Sequence, residues 1–333
     1  MTPLVQDVIE NYISNISLAR SQNTARTYRN AMNAFCETLV KHQLPPHQIE
    51  INKITEEAVA WFASELKTLS PSTEQLYLTA VSGFYQYLAA EQHLDVNLPR
   101  IRLLIRQRSR RPGVRLPQFP QREIDIILDY AINLASYQSE NPTDHLINLR
   151  DRAFILTLAD TGLRVHEACN LRRGDVDWNE GKALIIGKGD RQAVVRFSRR
   201  SLTALKDYLY ARAALDGASS RPLTSLPLFS RHDRGAGKKV KPITTTTGRN
   251  IISERVKQAL GSEAAGRITP HSFRHYFVTT VLRGSGGNLK LAQELARHRN
   301  IGVTQRYAHL SDDELDQRYW EIFEDSLKDK PLE

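Results

Sequence analysis

The chain has 333 residues, enough for two hydrophobic cores at the usual domain size of about 100 to 200 residues. Lys and Arg outnumber Asp and Glu by 46 to 37, a formal net charge of +9, while the 25% charged fraction is that of an ordinary folded protein. This balance excludes an acidic or disordered chain and points to a polyanionic partner, nucleic acid before an anionic membrane. No stretch approaches the roughly 18 apolar residues of a membrane span. The start "MTPLVQDVIENYI" carries acidic residues early and lacks the basic region and apolar run of a secretory signal. Cys36 and Cys169 both lie in helical apolar patterns and read as core residues. No Cys/His cluster has zinc-ligand spacing, so neither structural zinc nor a disulfide framework is expected. The expectation is a soluble cytoplasmic protein.

Residues 1 to about 98 read as almost all helix. In "NTARTYRNAMNAFCETLVK" the residues Tyr28, Ala31, Met32, Phe35, Leu39 and Val40 follow the i, i+3, i+4, i+7 rule, with Asn23 as the expected N-cap. A second helix is expected over about 55 to 68. The third, "SPSTEQLYLTAVSGFYQYLAAE", places Leu76, Ala80, Val81, Phe84, Tyr87 and Leu88 on one stripe and ends before "VNLP". Three or four amphipathic helices of this kind make a small bundle.

Between 100 and 115 stand seven arginines, Arg100, Arg102, Arg106, Arg108, Arg110, Arg111 and Arg115, with no acidic residue among them. Pro112 and Gly113 break any simple helix continuation, so residues 100–119 read as an interdomain linker. A charge run is usually a solvated surface. Here it joins two folded parts of a basic protein, which favours an arm lying along a phosphate backbone.

A larger domain is expected after Pro120. Helices are predicted at about 121 to 136 and 149 to 161, separated by a polar loop around 137 to 145. In "KALIIGKGDRQAVVRF" the period changes: two β-rich runs, Ala183 to Ile186 and Gln192 to Phe197, flank a Gly-Lys-Gly-Asp turn, placing Lys188 at a hairpin tip. A helix at about 200 to 214 is followed by a loop-rich, basic stretch to 245, expected as a mobile surface insertion. The remainder is helical, at about 247 to 260, 271 to 283, 288 to 297, 301 to 308 and 311 to 326.

The residue types in this C-terminal part suit cutting and rejoining a phosphodiester without metal. That chemistry requires a nucleophile, cations for the phosphoryl oxygens and an acid for the leaving oxygen. Tyr307 is a candidate nucleophile with a long rigid reach, although one tyrosine by itself reads as a packing residue. Arg164 and Arg274 offer planar guanidinium forks that match two phosphoryl oxygens and stay charged. Glu167, three residues after Arg164, is placed to hold that fork; a plain surface ion pair explains the two equally well. His271 and Arg274 are three apart on a helix opened by Pro270, where the positive helix N-terminus adds to the field. His298 follows "LAQELAR" and adds a donor or simply caps that helix. Lys188 at a hairpin tip is suited to enter the minor groove and protonate a departing 5′ oxygen.

The chain resembles a tyrosine recombinase of the phage-integrase class, closest to Xer-like members without an arm-binding domain. "NTARTYRNAMNAF" and "STEQLYLTAVSGFYQYL" resemble the N-terminal core-binding domain. "LRDRAFILTLADTGLRVHEACNLRRGDVDW", the hairpin lysine, "TPHSFRHYFVTTVL" and "NLKLAQELARHRNIGVTQRYAHL" resemble the catalytic domain in order and spacing. The resemblance implies a mainly α protein: a four-helix SAM-like core-binding domain at 1–99 and, at 120–333, an α+β catalytic domain of the DNA breaking-rejoining type, helical with a small antiparallel sheet. It places Arg164, Lys188, His271, Arg274, His298 and Tyr307 in the six catalytic positions. It also implies a 3′-phosphotyrosyl intermediate, no cofactor, metal or ATP, and strand exchange through a Holliday junction by a homotetramer on double-stranded DNA, with a second recombinase or accessory protein as a further partner and a nucleoid-associated location. The tail "SDDELDQRYWEIFEDSL", with a capping box from Ser311 to Glu314 and the stripe Leu315, Tyr319, Ile322 and Phe323, packs on its own domain by pattern alone and on a neighbouring protomer by the resemblance. Two departures are visible. The family usually has Leu-Gly where this chain has Ala296 and Arg297, and a small residue is common where His166 stands.

Three rival readings remain at this level. One is a sequence-specific DNA-binding protein without catalysis. Another is a metal-dependent nuclease using carboxylates such as Asp175 and Asp177 or the Asp312 to Glu314 group, which read better as a loop before a strand and a helix first turn. A third is a type IB topoisomerase, which shares the nucleophile logic.

Overall fold

The computed structural model describes residues 2–110, 120–137, 141–187, 191–233, 235–237, 239–298 and 300–305. Lys188, Tyr307, Arg111, Arg115 and the tail from 306 lie outside these residues. The chain divides into two compact units, Met1–Arg115 and Leu116–Glu333.

The N-terminal unit is built from α1 (Val5–Ala19), α2 (Gln22–Lys41), α3 (Glu57–Glu65), α4 (Pro71–Ala90) and α5 (Leu98–Arg108). Helix α2 starts two residues earlier than the motif suggests: Ser21, not Asn23, is the N-cap, its Oγ accepting from the Thr24 amide at 3.3 Å. Ser70 caps α4 in the same way, ahead of Pro71. The core is a set of edge-packed rings in which Phe35 meets Phe62 at 5.4 Å and 79° between planes. Val40 and Leu76 turn out to solvent, while Leu78 and Tyr85, absent from the expected stripe, are buried. Cys36 packs against this core, and burial raises its thiol to about 11.

The expected linker does not begin at residue 100. Asn97 caps α5 through the Arg100 amide at 3.0 Å, and Ile101 is buried in the N-terminal core. A run of like charges still forms a helix when one face supplies Ile101 and Ile105 for packing.

The C-terminal unit continues with α6 (Gln121–Asn133), α7 (Pro142–Thr161), α8 (Val165–Asn170), α9 (Arg199–Ala211), α10 (Ala213–Gly217), α11 (Thr245–Leu260), α12 (Pro270–Gly284), α13 (Leu289–Ala296) and α14 (Ile301–Gln305). The strands β1 (Val176–Asp177), β2 (Lys182–Gly187) and β3 (Arg191–Arg196) form an antiparallel sheet in the order β1-β2-β3. Ala183 pairs with Val195 and both face the core, whereas Leu184 and Val194, the next pair, are exposed. The two-residue β1 is too short to leave a periodic signal.

Helix α7 is the spine of this unit. It begins at Pro142 with Asn141 as its cap, so the helix takes in residues 142–145 of the expected polar loop. Its C-terminal half is buried almost all round, which erases the amphipathic pattern that would announce it. Asp151 on α7 accepts from Arg255 Nε on α11 at 2.9 Å and from Arg150 Nη2 at 2.6 Å, a buried charge held from two sides.

The stretch to 245, expected as a mobile insertion, is anchored where it is described. Leu226, Leu228 and Phe229 are fully buried, and Phe229 meets Phe154 edge-on at 5.1 Å. Fully buried Arg212 donates to Pro227 O at 2.9 Å, Leu228 O at 3.1 Å and Ser230 Oγ at 2.7 Å. Its buried charge is matched by Asp216 Oδ1 at 2.8 Å. Composition gave this region a loop character because its order comes from distant partners rather than from periodicity. Among the described residues no helix is long and apolar enough to cross a membrane.

Candidate active site

Three segments meet around the carbonyl of Gly162. Helix α7 ends there with φ 59° and ψ 22°, and a Cβ at this position would lie 2.4 Å from Phe277 Cδ1, so both conformation and space call for glycine. Arg274 Nη1 on α12 donates to Gly162 O, and Arg274 Nη2 donates to Ala296 O at the end of α13. One guanidinium thereby fastens the loop carrying Arg164 to the turn carrying His298.

Arg164 stands at the start of α8. Glu167, on the first turn, accepts from the Arg164 amide through Oε2 at 2.9 Å and from Arg164 Nη1 through Oε1 at 2.9 Å. The return bond to the amide is half of a capping box, and it is why an acidic residue fits three positions after the helix start. The carboxylate is buried, with 2% of its side chain exposed, while 45% of the Arg164 side chain remains open. Burial pushes the Glu167 carboxyl up, but the charge of Arg297 and the bonds and charge of Arg164 outweigh it and hold the group below the usual carboxylate range.

Helix α12 opens with Pro270 and presents His271 and Arg274 differently. His271 is exposed at the surface, whereas Arg274 is only 2% exposed and turned toward the backbone carbonyls. The three-residue spacing brings both to one end of the helix, one at the surface and one buried. His275, one turn after His271, packs edge-on against it at 4.4 Å. A cleft of about 680 Å³ lies beside His271, with Glu123, Arg267 and Thr269 among its lining residues.

His298 follows the helix cap. Its amide donates to Gln293 O at 3.0 Å, closing a Schellman turn, and Nδ1 shares a 2.9 Å hydrogen bond with Thr304 Oγ1 on α14. Val278, Leu282, Ala292 and Ala296 pack α12 against α13 and fix where this turn sits.

The imidazoles feel the same cations. Partial burial lowers His298 to about 4, with Arg274 and Arg164 acting in the same direction. Partial burial, then Arg274 and Arg164, also hold His271 below the ordinary histidine value. Both are neutral near pH 7 before an anion arrives. The structure thus brings together Arg164, Glu167, His271, Arg274 and His298. Lys188 and Tyr307 lie outside the described residues, although β2 and β3 lead to and from the segment holding Lys188.

Sequence reasoning missed two contributors, the Gly162 carbonyl and Thr304; it marked Arg297 as a departure from the family pattern but not the inward turn of its side chain. Gly162 stands two residues before Arg164 in "TGLR", a signal that a tight turn precedes the arginine. Cys169 is a packing residue as expected; burial raises its thiol to about 12.

Residues 125–314 match the phage integrase family, and residues 9–92 match the phage integrase N-terminal SAM-like domain. The chain belongs to the phage integrase family. This integrase is 28% identical over 311 residues to tyrosine recombinase XerC of Thermodesulfovibrio yellowstonii, covering 92% of each chain. It is 32% identical over 249 residues to XerC of Xylella fastidiosa (strain 9a5c), covering 74% of this chain and 73% of the relative. Its fold is shared with the XerH site-specific recombinase bound to palindromic difH substrate in a post-cleavage complex, at TM-score 0.63 and 20% identity, over 89% of this chain and 79% of that one. A Tn1549 transposon integrase in complex with circular intermediate DNA matches at TM-score 0.63 and 20% identity, over 96% and 99%. The integrase is therefore a site-specific tyrosine recombinase, a DNA-binding enzyme of the fold class expected from its sequence.

Proposed function

We propose that this integrase cuts and rejoins DNA with Tyr307 as nucleophile and Arg164, Lys188, His271, Arg274 and His298 as the groups around the scissile phosphate. The observation that supports the reading is that Arg274 bonds the Gly162 carbonyl, two residues before Arg164, and the Ala296 carbonyl, two residues before His298, and that Arg164 and Arg274 both act on His271 and His298. Tyr307 Oη attacks phosphorus as its phenol proton passes to a neutral histidine, the bond to the 5′ oxygen breaks, and Lys188 supplies the proton that leaves a free 5′ hydroxyl. The 3′-phosphotyrosyl link conserves the bond energy, and attack by that hydroxyl or one from a partner strand restores the backbone and returns the phenol. Arg164 offers the open edge of its fork to a nonbridging oxygen, while buried Arg274 keeps the segments in register and adds positive field. His271 and His298, neutral beforehand, donate to the phosphate or take up a proton as negative charge develops.

In this reading the helical unit, residues 1–99, grips the core site. Residues 120–333 carry the chemistry, and residues 109–119 remain of the linker first assigned to 100–119. Assembly follows the family resemblance: a homotetramer on two sites exchanges strands through a Holliday junction, with the tail docking between protomers and a second recombinase or accessory protein completing some assemblies. The working location is the nucleoid in the cytoplasm.

A nicked suicide substrate tests the proposal. The wild-type protein should give a denaturant-resistant adduct that forms in the presence of chelator, and Tyr307→Phe should give none while still shifting the DNA. Equal shifts without any adduct would leave a DNA-binding protein instead, and relaxation of plasmids lacking a recombination site would mark a topoisomerase.

A further inference from the structure

Arg297 ends α13 with φ 57° and ψ 44°. A side chain with a Cβ is strained in this left-handed conformation, and a glycine closes the same turn without strain. The strain must be offset by what the side chain does, and the guanidinium is folded inward rather than toward water, with 12% of the side chain exposed. Its Nη2 donates to Glu167 Oε2 at 3.1 Å and approaches Gly162 O at 3.4 Å. Among the described residues Nε and Nη1 are buried without a hydrogen-bond partner, and Glu167 is the carboxylate that balances the desolvation of this cation there.

Glu167 is thereby shared. One oxygen takes the Arg164 fork, and the other takes the Arg164 amide and Arg297. A lone Arg164 facing a buried carboxylate would be drawn toward it as the only compensating charge. With Arg297 supplying the second cation, Arg164 is held through Nη1 while nearly half of its side chain stays open.

We infer that Arg297 is a positioning residue for DNA cleavage: it holds the Glu167 carboxylate from the side opposite Arg164, so that Arg164 is fixed with one edge presented to the scissile phosphate. This rests on the reading of Arg164 as a phosphate clamp. Among the described residues the charges acting on Glu167 are Arg297, from the turn after α13, and Arg164, from its own helix. Of the influences that keep the carboxyl ionised against the effect of burial, Arg297 is the foremost. Losing Arg297 raises the pH at which Glu167 takes a proton and releases the Arg164 fork, so the acid limb of the cleavage profile moves to higher pH.

The test is the single-turnover rate of adduct formation on a nicked suicide substrate, followed from acidic to mildly alkaline pH. Arg297→Gly suits the left-handed turn and should keep the fold, yet its acid limb should rise by about one pH unit, the scale of losing one adjacent opposite charge. Arg297→Asn, also neutral and tolerant of the turn, should show the same shift and serves if the glycine variant folds poorly. Arg297→Lys, which keeps the charge but not the fork, should hold the limb at the wild-type position with a lower rate. His298 titrates on the same side, but the charges acting on it come from Arg274, Arg164, His271 and His275, which all remain. A wild-type adduct together with unshifted limbs in both neutral variants would overturn this inference alone. No adduct from the wild-type protein would instead remove the reaction on which it rests.

Discussion

Glu74 and Glu167 are buried carboxylates that each face two cations, one in each unit, and they put arginine to opposite uses. In the N-terminal unit Glu74 accepts from Lys67 Nζ at 2.7 Å and from the amide and Nε of Arg110 at 2.8 and 2.6 Å. The far edge of that fork donates to Leu69 O, so Arg110 is consumed by the fold. In the C-terminal unit Glu167 engages Arg164 through Nη1 and the amide, and Arg297 covers its second oxygen. Arg164 is oriented without being used up. What decides an arginine's role is the environment of the donors that the carboxylate leaves over.

The largest expected effect that separates these cases is Arg164→Ala. Adduct formation should fall by about 10²- to 10³-fold, as for loss of one donor to a developing oxyanion, while melting temperature and noncovalent DNA binding change little. A wild-type cleavage rate would place Arg164 beside Arg110 as a fold residue.

Arg110→Ala should do the reverse. It leaves Glu74 buried against Lys67 and the amide of residue 110 and should destabilise the N-terminal unit by about 2 kcal/mol, below the range for fully enclosed pairs because Arg110 reaches solvent. Urea unfolding of the full chain measures this. The adduct rate per folded molecule should stay at the wild-type level, and an unchanged midpoint would make Glu74 and Arg110 an incidental pair.

A third buried polar cluster shows what happens when cations enclose a group that can lose its charge. His232 bonds Tyr208 Oη at 2.8 Å, and burial, then Arg150 and Arg212, lower it from 6.5 to about 3. The unfolded chain therefore binds this proton at a pH where the folded one does not. Stability is fully present above pH 6.5 and falls as the pH drops toward 3, by about 1.4 kcal/mol per unit at the limit. Denaturation at a series of pH values should show this slope in the wild type and a shallower one in His232→Gln. Parallel slopes would assign the acid loss to other groups.

The smallest effects sharpen the division among the arginines of α5. Arg102 and Arg106 line an open groove with Arg20 and Tyr28, whereas Arg100 is paired with Glu57. Arg102→Ala and Arg106→Ala should each lower the slope of log affinity against log salt by about 0.9 for a lost phosphate contact, with stability changes within about 0.5 kcal/mol. Arg100→Ala should leave the slope alone. Equal slopes for all three would make the arginine run a spacer.

These contrasts mark how far the sequence could be read. The bundle helices were visible because one face of each is apolar, and the hairpin was visible because the period changed around "GKGD". Helix α7 was half hidden, since burial on all sides removes amphipathicity. The run 100–110 was read as an arm because charge density outweighed Ile101 and Ile105. Within the site, Arg164, Glu167, His271, Arg274 and His298 could be named from residue type, order and the family resemblance. The inward turn of Arg274, the bond from His298 to Thr304 and the grip of Arg297 on Glu167 could not, because each joins segments far apart in the chain.

The sequence by itself determined a mainly helical, basic protein, the family's chemistry and the residues able to perform it, since periodicity, charge and side-chain type are local properties. Only the tertiary structure decided which arginines are consumed and which stay open. That choice depends on where a buried carboxylate sits and how many donors converge on it, which is fixed by the packing of distant segments.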